Sequence, residues 1–166
     1  MMETLHPFLE RIEQTALGVL IRESLYGFPI VVALHILSLA FSLGLFIWFD
    51  LRLLGVVLTN TRVSVVYRRL MPWATVGFLF AFVTGVMLFS AFAMKAADNT
   101  WFRVKLLAFV VLALNALVYH RVTERDREWW DDQAQPPGGA RVAGLISLAL
   151  WTVVILCGRM MSYTMF

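Results

Sequence analysis

Four long stretches of apolar residues fill most of the chain, with short polar segments between them. Each is about 20 residues long, the length of α-helix that crosses a hydrocarbon core of roughly 30 Å. They cover residues 28–49, 72–94, 101–120 and 142–163. The pattern predicts four membrane-spanning helices in one bundle, and 166 residues leave no room for a second domain.

The N-terminal segment 1–27 has a different pattern. Its apolar residues recur at helical spacing with charged residues between them, as in Leu5, Phe8, Leu9, Ile12, Ala16, Val19 and Leu20. This pattern is typical of an amphipathic helix that lies in the membrane interface. Gly27 and Pro29 are expected to break the chain before the first span. The predicted fold is therefore all-α, a four-helix membrane bundle with an N-terminal interfacial helix.

Local signals predict how the spans are joined. Residues 51–71 are read as a loop, with Pro72 in the first turn of the second span. Gly77 and Gly85 predict close approach of a neighbouring helix. Asn99, or the threonine after it, is suited to cap the third span.

Composition supports a membrane protein and argues against nucleic-acid binding. The chain is 60% hydrophobic and 15% charged, with a net charge of +3. Its basic residues lie mostly at the ends of spans, and no basic tract with interleaved aromatic residues is present. The single cysteine, Cys157, excludes an internal disulfide.

The distribution of Lys and Arg predicts an orientation. The two long loops and their borders hold Arg52, Arg62, Arg68, Arg69, Arg121, Arg125, Arg127 and Arg141. The other side holds Arg11, Arg22, Lys95, Arg103, Lys105 and Arg159. The larger basic count predicts cytoplasmic loops and periplasmic termini. Asp50 and Arg52, at the end of the first span, are read as an interfacial ion pair.

Three strongly basic side chains lie within the spans, where ionisable groups are costly and usually functional. His35 lies about 10 Å into the first span, and Lys105 and Arg159 lie about 6 Å from the same end of theirs. Met87 is at a depth similar to that of His35, so these four residues are candidates for one site. His120 is excluded because it lies about 22 Å from Lys105 along the same helix.

Each candidate has a functional and a structural interpretation. His35 is suited to ligate a metal, above all haem iron, or it hydrogen-bonds between helices. Lys105 and Arg159 would hold carboxylates such as haem propionates, or they extend to the interface. The alternative partner of Arg159 is Glu23. Met87 is either a second haem ligand or a packing residue.

Several short motifs resemble a family of small uncharacterised bacterial membrane proteins. They are Ala33-Leu34-His35-Ile36-Leu37, Gly44, Asp50-Leu51-Arg52-Leu53-Leu54-Gly55, Arg69-Leu70-Met71-Pro72-Trp73, Phe102-Arg103-Val104-Lys105 and Gly158-Arg159. The resemblance covers nearly the whole chain and implies a location in the bacterial cytoplasmic membrane.

A looser resemblance concerns the order of motifs in the first three spans. His35, Thr84-Gly85, Trp101 with Lys105, and Tyr119-His120 are similar to the haem-containing bacterial membrane protoporphyrinogen oxidase and to CopD-type membrane domains. In the oxidase family the matching histidine and lysine are associated with haem and activity. The resemblance therefore implies a haem b site that includes His35 and Lys105.

The leading hypothesis is a haem b protein that transfers electrons or acts as a quinone-linked oxidoreductase. Its partners would be the lipid bilayer, a quinone or another redox protein, and further copies of the chain. One alternative is a copper or small-anion binding or transport protein without haem, for which the eight methionines offer soft ligands. The other alternative is a structural subunit of a membrane redox complex.

Overall fold

The computed structural model describes residues 2–123 and 129–165, which form helices and no strand. The helices are α1 (Met2–Glu13), α2 (Ala16–Glu23), α3 (Gly27–Leu53), α4 (Val63–Ala91), α5 (Ala93–Asp98), α6 (Thr100–Val118) and α7 (Gly138–Met165). A turn of π-helix, Tyr119–Thr123, continues α6. Helices α3, α4, α6 and α7 are long and apolar enough to span a bilayer. The predicted all-α fold is confirmed, and the chain is a multi-pass membrane protein.

The four spanning helices pack as two pairs. Helix α3 lies along α4, α6 lies along α7, and α3 also contacts α7. Four aromatic rings join the pairs near the middle of the bundle, with centroids 5.3–6.3 Å apart: Phe46, Phe78, Phe109 and Trp151. Helix α6 therefore meets α4 through aromatic side chains rather than through close backbone packing.

Glycine sets the close contact between α3 and α4, as the sequence predicts. A Cβ atom on Gly77 would lie 2.8 Å from Phe41 Cδ1 and 3.1 Å from Ser42 Cβ. The Ser42 hydroxyl donates a hydrogen bond to the Ala74 carbonyl over 2.7 Å. Such small-residue contacts drive helix association in membranes, where burial of apolar surface contributes little.

The N-terminal segment forms two helices rather than one. The chain bends at Gln14 and Thr15, and the Thr15 hydroxyl accepts a hydrogen bond from the Gly18 amide at the start of α2. Glu13 accepts a hydrogen bond from the amide of Met94, which fastens α1 to the start of α5. The predicted break before the first span is present at residues 24–26, and α3 begins at Gly27 with Pro29 in its first turn.

The two ends of the bundle differ in construction. We call the end with the chain termini, α2 and α5 the terminal end. The opposite end, with segments 54–62, 119–123 and 129–137, is the loop end. At the loop end Trp130 is 1% exposed and packs against Phe49, Leu53 and Val63. Part of the longest polar stretch of the sequence thus folds onto the bundle and closes it.

The prediction that residues 51–71 form a loop is wrong. Helix α3 continues to Leu53 and α4 starts at Val63, so Pro72 lies inside α4 rather than in its first turn. The start of α4 is fixed by Asp131, whose carboxylate accepts a hydrogen bond from the Ser64 amide over 2.7 Å. This cap comes from a distant part of the chain, so the local sequence does not reveal it.

The expected pair of Asp50 and Arg52 is not formed. Asp50 is 5% exposed and hydrogen-bonds Ser147 of α7. Arg52 is fully buried and donates hydrogen bonds to the Thr61 carbonyl over 2.9 Å and to the Gln133 carbonyl over 3.1 Å. Arg52 therefore joins both loops to the end of α3.

Candidate functional site between the two helix pairs

His35 lies on the α3 face that contacts α4, and its ring is oriented by two oxygen atoms. Nδ1 is 2.9 Å from the Ala81 carbonyl oxygen and 3.1 Å from the Thr84 hydroxyl. A carbonyl oxygen only accepts hydrogen bonds, so Nδ1 carries the proton. In this tautomer Nε2 keeps a free lone pair, and it hydrogen-bonds to no other residue in the described ranges.

Thr84 and Gly85 make room for the imidazole. The Thr84 hydroxyl donates its own proton to the Phe80 or Ala81 carbonyl, at 2.8 and 3.1 Å, so towards His35 it is an acceptor. A Cβ atom on Gly85 would lie 3.1 Å from His35 Cε1. Any larger residue at position 85 would press against the ring.

Lys105 reaches the same region from α6. Its side chain is half-buried, and Nζ lies 5.9 Å from the centroid of the Phe109 ring. On α7, a Cβ atom at Gly158 would lie 4.0 Å from Nζ. Lys105 also lies within electrostatic range of His35 and of Cys157. No carboxylate of residues 6–121 or 129–165 lies within ion-pair distance of this ammonium group.

Two aromatic contacts between α4 and α6 flank this region. Phe89 and Phe102 stack at 5.4 Å towards the terminal end, and Phe78 meets Phe109 edge-on at 5.9 Å near the middle. On α6 these contacts are seven residues apart, or about 10 Å of helix, and Lys105 lies between them. The polar groups therefore lie between two aromatic layers inside an apolar bundle.

The other two candidates lie elsewhere. Arg159 is exposed on α7, where its guanidinium donates a hydrogen bond to the Tyr163 hydroxyl over 2.7 Å and lies 4.6 Å from that ring's centroid. Met87 packs with Ile21 and Val31, in the cluster between α2, α3 and α4. The structure thus brings His35 and Lys105 together and gives Arg159 and Met87 other neighbours.

The arrangement offers one imidazole nitrogen and one cation. Among the described residues, no group of three or more His, Cys, Asp or Glu side chains could hold a metal ion. A single nitrogen ligand suits a metal that brings its other ligands with it, as haem iron does. The nearby ammonium suits a carboxylate of the same ligand.

Sequence reasoning missed two members of this site. In the sequence Thr84 stands out only as part of the Thr84-Gly85 motif, although it is a polar residue in an apolar span. The sequence gives Cys157 no role in the site, whereas the structure buries it near Lys105. In both cases the missing information is which helix faces meet.

Comparison with known proteins places the chain in a family but gives it no function. No curated protein and no solved structure matches the chain significantly. The looser likeness to haem-containing membrane proteins therefore gains no support from these comparisons. One family model matches residues 8–164, which is nearly the whole sequence. The chain belongs to this family, described as a family of unknown function (DUF6644).

Proposed function

We propose that this protein is a haem b-binding membrane protein that transfers electrons, either to a partner protein or as part of a quinone-linked oxidoreductase. His35 Nε2 would ligate the iron, and Lys105 would hold a propionate. The observation that carries the proposal is the free Nε2 of a histidine whose Nδ1–H is held by a backbone carbonyl.

Metal-bound histidines usually have this second hydrogen bond. It fixes the tautomer and the ring orientation, and it raises the basicity of the ligating nitrogen. In this protein the Ala81 carbonyl and the Thr84 hydroxyl have that role.

Lys105 supports a ligand with negative charge. A cation in an apolar bundle is costly unless it finds a counter-charge, and the described residues provide none at ion-pair distance. The negative charge of a propionate and the positive charge of Lys105 would neutralise each other. Gly158, without a side chain beside Nζ, leaves space for such a group.

When bound, the haem supplies the one-electron chemistry. The contribution of the chain is to ligate the iron, to neutralise a propionate and to keep water away with its aromatic layers. Phe78 and Phe109 separate the site from the loop end, and Phe89 and Phe102 cover it on the other side.

The visible spectrum of the purified protein in detergent tests the proposal. We expect a Soret band and reduced α and β bands that His35→Ala abolishes in a folded protein. His120→Ala is the matched control, because its Nδ1 also lies on a helix carbonyl while Nε2 is engaged by Tyr67. Full haem retention in His35→Ala, or no haem in the native protein, would overturn the proposal.

Lys105→Met tests the proposed contact between Lys105 and a haem propionate. The change keeps the length of the side chain and removes its charge, so we expect weaker haem retention with the axial ligand still in place. Lys95→Met, at an exposed position of the terminal end, is the control and should retain haem fully. Equal retention in both variants would remove Lys105 from the site.

We further propose that the protein lies in the bacterial cytoplasmic membrane with its loop end in the cytoplasm. Support comes from the excess of basic residues at that end. Reporter fusions after Asn60 and Gln135 should be active only with cytoplasmic reporters. A periplasmic signal at either position would reverse the orientation and move the haem site to the cytoplasmic side.

A further inference from the structure

The loop end carries four arginines whose side chains have no partner among the described residues. They are Arg68 and Arg69 of α4, Arg121 of the π-turn and Arg141 of α7, and we call them the loop-end arginines. All four are exposed, and none makes an ion pair or a side-chain hydrogen bond within the described ranges.

The acidic residues described at this end interact with groups other than the loop-end arginines. Asp50 is buried against Ser147, and Asp131 caps α4 through Ser64. Asp132 forms a 2.9 Å ion pair with Arg62. Within the part of the chain that the structure describes, no acidic side chain therefore neutralises the loop-end arginines.

The position of these arginines indicates what that partner is. One turn further into the spans lie exposed apolar residues that belong to the lipid-facing surface. Trp73 follows Arg69, and Leu145 follows Arg141, each by four residues or about 6 Å, while Leu117 precedes Arg121 by the same interval. These three side chains are 64%, 59% and 48% exposed, respectively.

A guanidinium directly above a lipid-facing side chain lies at headgroup depth. A ligand that contacts both surfaces has an anionic head and an apolar tail. Tryptophan within one turn of such a charged residue is typical of the membrane boundary. Arginine also binds phosphate with two parallel hydrogen bonds, which lysine cannot do.

We propose that the loop-end arginines form a binding surface for anionic phospholipids, with the lipid phosphate on the guanidinium groups and the acyl chains along α4, α6 and α7. The contacts between Tyr67 and His120, at 3.0 Å, and between Asn115 and the Ala143 carbonyl, at 2.9 Å, hold these three helices together. The surface is independent of any haem and of the orientation in the membrane.

Thermal unfolding of the delipidated protein in a neutral detergent tests this proposal, with added phosphatidylglycerol compared with phosphatidylcholine. We expect phosphatidylglycerol to raise the unfolding temperature and phosphatidylcholine to raise it less. Arg69→Gln should weaken the apparent phosphatidylglycerol affinity about fivefold, the effect of one surface charge near anionic lipid. Arg69→Lys should restore only part of it, because lysine returns the charge without the two parallel hydrogen bonds.

Arg62→Gln is the matched control. Arg62 is exposed at the same end but is paired with Asp132, so its loss should leave the affinity within about twofold of the native value. Equal stabilisation by the two lipids, or equal losses in Arg62→Gln and Arg69→Gln, would overturn the proposal. Stabilisation by inorganic phosphate alone, without lipid, would also overturn it, because the ligand would then need no acyl chain.

Discussion

His35 and His120 lie towards opposite ends of the bundle and hold their rings in the same way. Each places Nδ1 on a helix carbonyl, at 2.9 Å from Ala81 and 2.8 Å from Ala116. They differ at Nε2, which in His120 is 3.0 Å from the Tyr67 hydroxyl and in His35 has no hydrogen-bond partner among the described residues. A histidine is therefore a candidate metal ligand only when one ring nitrogen has no hydrogen-bond partner, as is true of Nε2 in His35 among the described residues.

The cations embedded at the two ends of the bundle also differ in whether they have partners. At the loop end the guanidinium of Arg52 donates to two carbonyls and joins the loops to α3. Towards the terminal end Lys105 has a ring, a cysteine and a glycine as neighbours, and no counter-charge at ion-pair distance in the described ranges. The loop end thus satisfies its cation with backbone carbonyls, whereas the other region leaves its cation without a described counter-charge.

The largest effect should come from Arg52→Ala, which tests the structural role of the loop end. Two hydrogen bonds to a charged group are lost and two carbonyls lose their partner, so we expect the free energy of unfolding to fall by about 3–6 kcal/mol. Denaturant or thermal unfolding in detergent measures this change.

Arg62→Ala is the control for that prediction. Its ion pair with Asp132 is exposed, with 63% and 67% of the two side chains accessible, so the change should cost less than about 1 kcal/mol. Similar losses in the two variants would contradict the contrast between a buried and an exposed arginine.

The next two variants, at the glycines of α4, distinguish helix packing from cofactor binding. Gly77→Ala and Gly85→Ala should each cost about 1–3 kcal/mol, because each Cβ atom enters an occupied space. Gly77 contacts Phe41 and Ser42, whereas Gly85 contacts the His35 ring. Only Gly85→Ala should also change the haem spectrum.

Unfolding curves and reduced-minus-oxidised spectra of both glycine variants provide the measurement. A spectrum altered in Gly77→Ala but not in Gly85→Ala would separate the haem from His35. If neither variant changes stability, the close contact between α3 and α4 is less tight than the structure indicates.

A smaller effect is expected from Thr84→Val. The change removes one acceptor from the His35 Nδ1–H and leaves the Ala81 carbonyl, so it should cost about 1 kcal/mol. On the proposed haem, the same energy corresponds to a midpoint potential shift of at most about 40 mV. Thr84→Ser should restore the native potential, because it keeps the hydroxyl.

Redox titration of Thr84→Val and Thr84→Ser measures how the Thr84 hydrogen bond affects the midpoint potential. A potential that is unchanged in Thr84→Val would mean that the Ala81 carbonyl alone orients the ring. A shift of equal size in Thr84→Ser would show that the methyl group matters rather than the hydrogen bond.

The sequence predicts the four spans because the thickness of the membrane sets their length, whatever the details of packing. It fails at the start of α4, because the cap there comes from Asp131, far along the chain. It also fails for Trp130, which lies in the most polar stretch of the sequence yet is buried at the loop end. Such contacts depend on how the helices pack, which no local pattern encodes.

The site was predictable in part. Helix rise alone places His35 and Lys105 at similar depth, and the structure brings them into one region. Depth does not tell which way a side chain points around its helix axis. Met87 therefore joins the cluster of Ile21 and Val31, although its depth matches that of His35. That His35 and Lys105 bind a cofactor stays a prediction.

The smallest effect is expected for Arg159, which the structure pairs with Tyr163 rather than with Glu23. The guanidinium is exposed, one helical turn from its partner, so Arg159→Leu should cost less than about 1 kcal/mol. Because Arg159 does not share the contacts of Lys105, haem content and midpoint potential should stay at their native values. Tyr163→Phe, which removes only the hydroxyl, should have the same small effect on stability, and the double variant should show non-additive losses. A clear loss of haem in Arg159→Leu, with native content in Tyr163→Phe, would bring Arg159 back into the site as a second propionate partner.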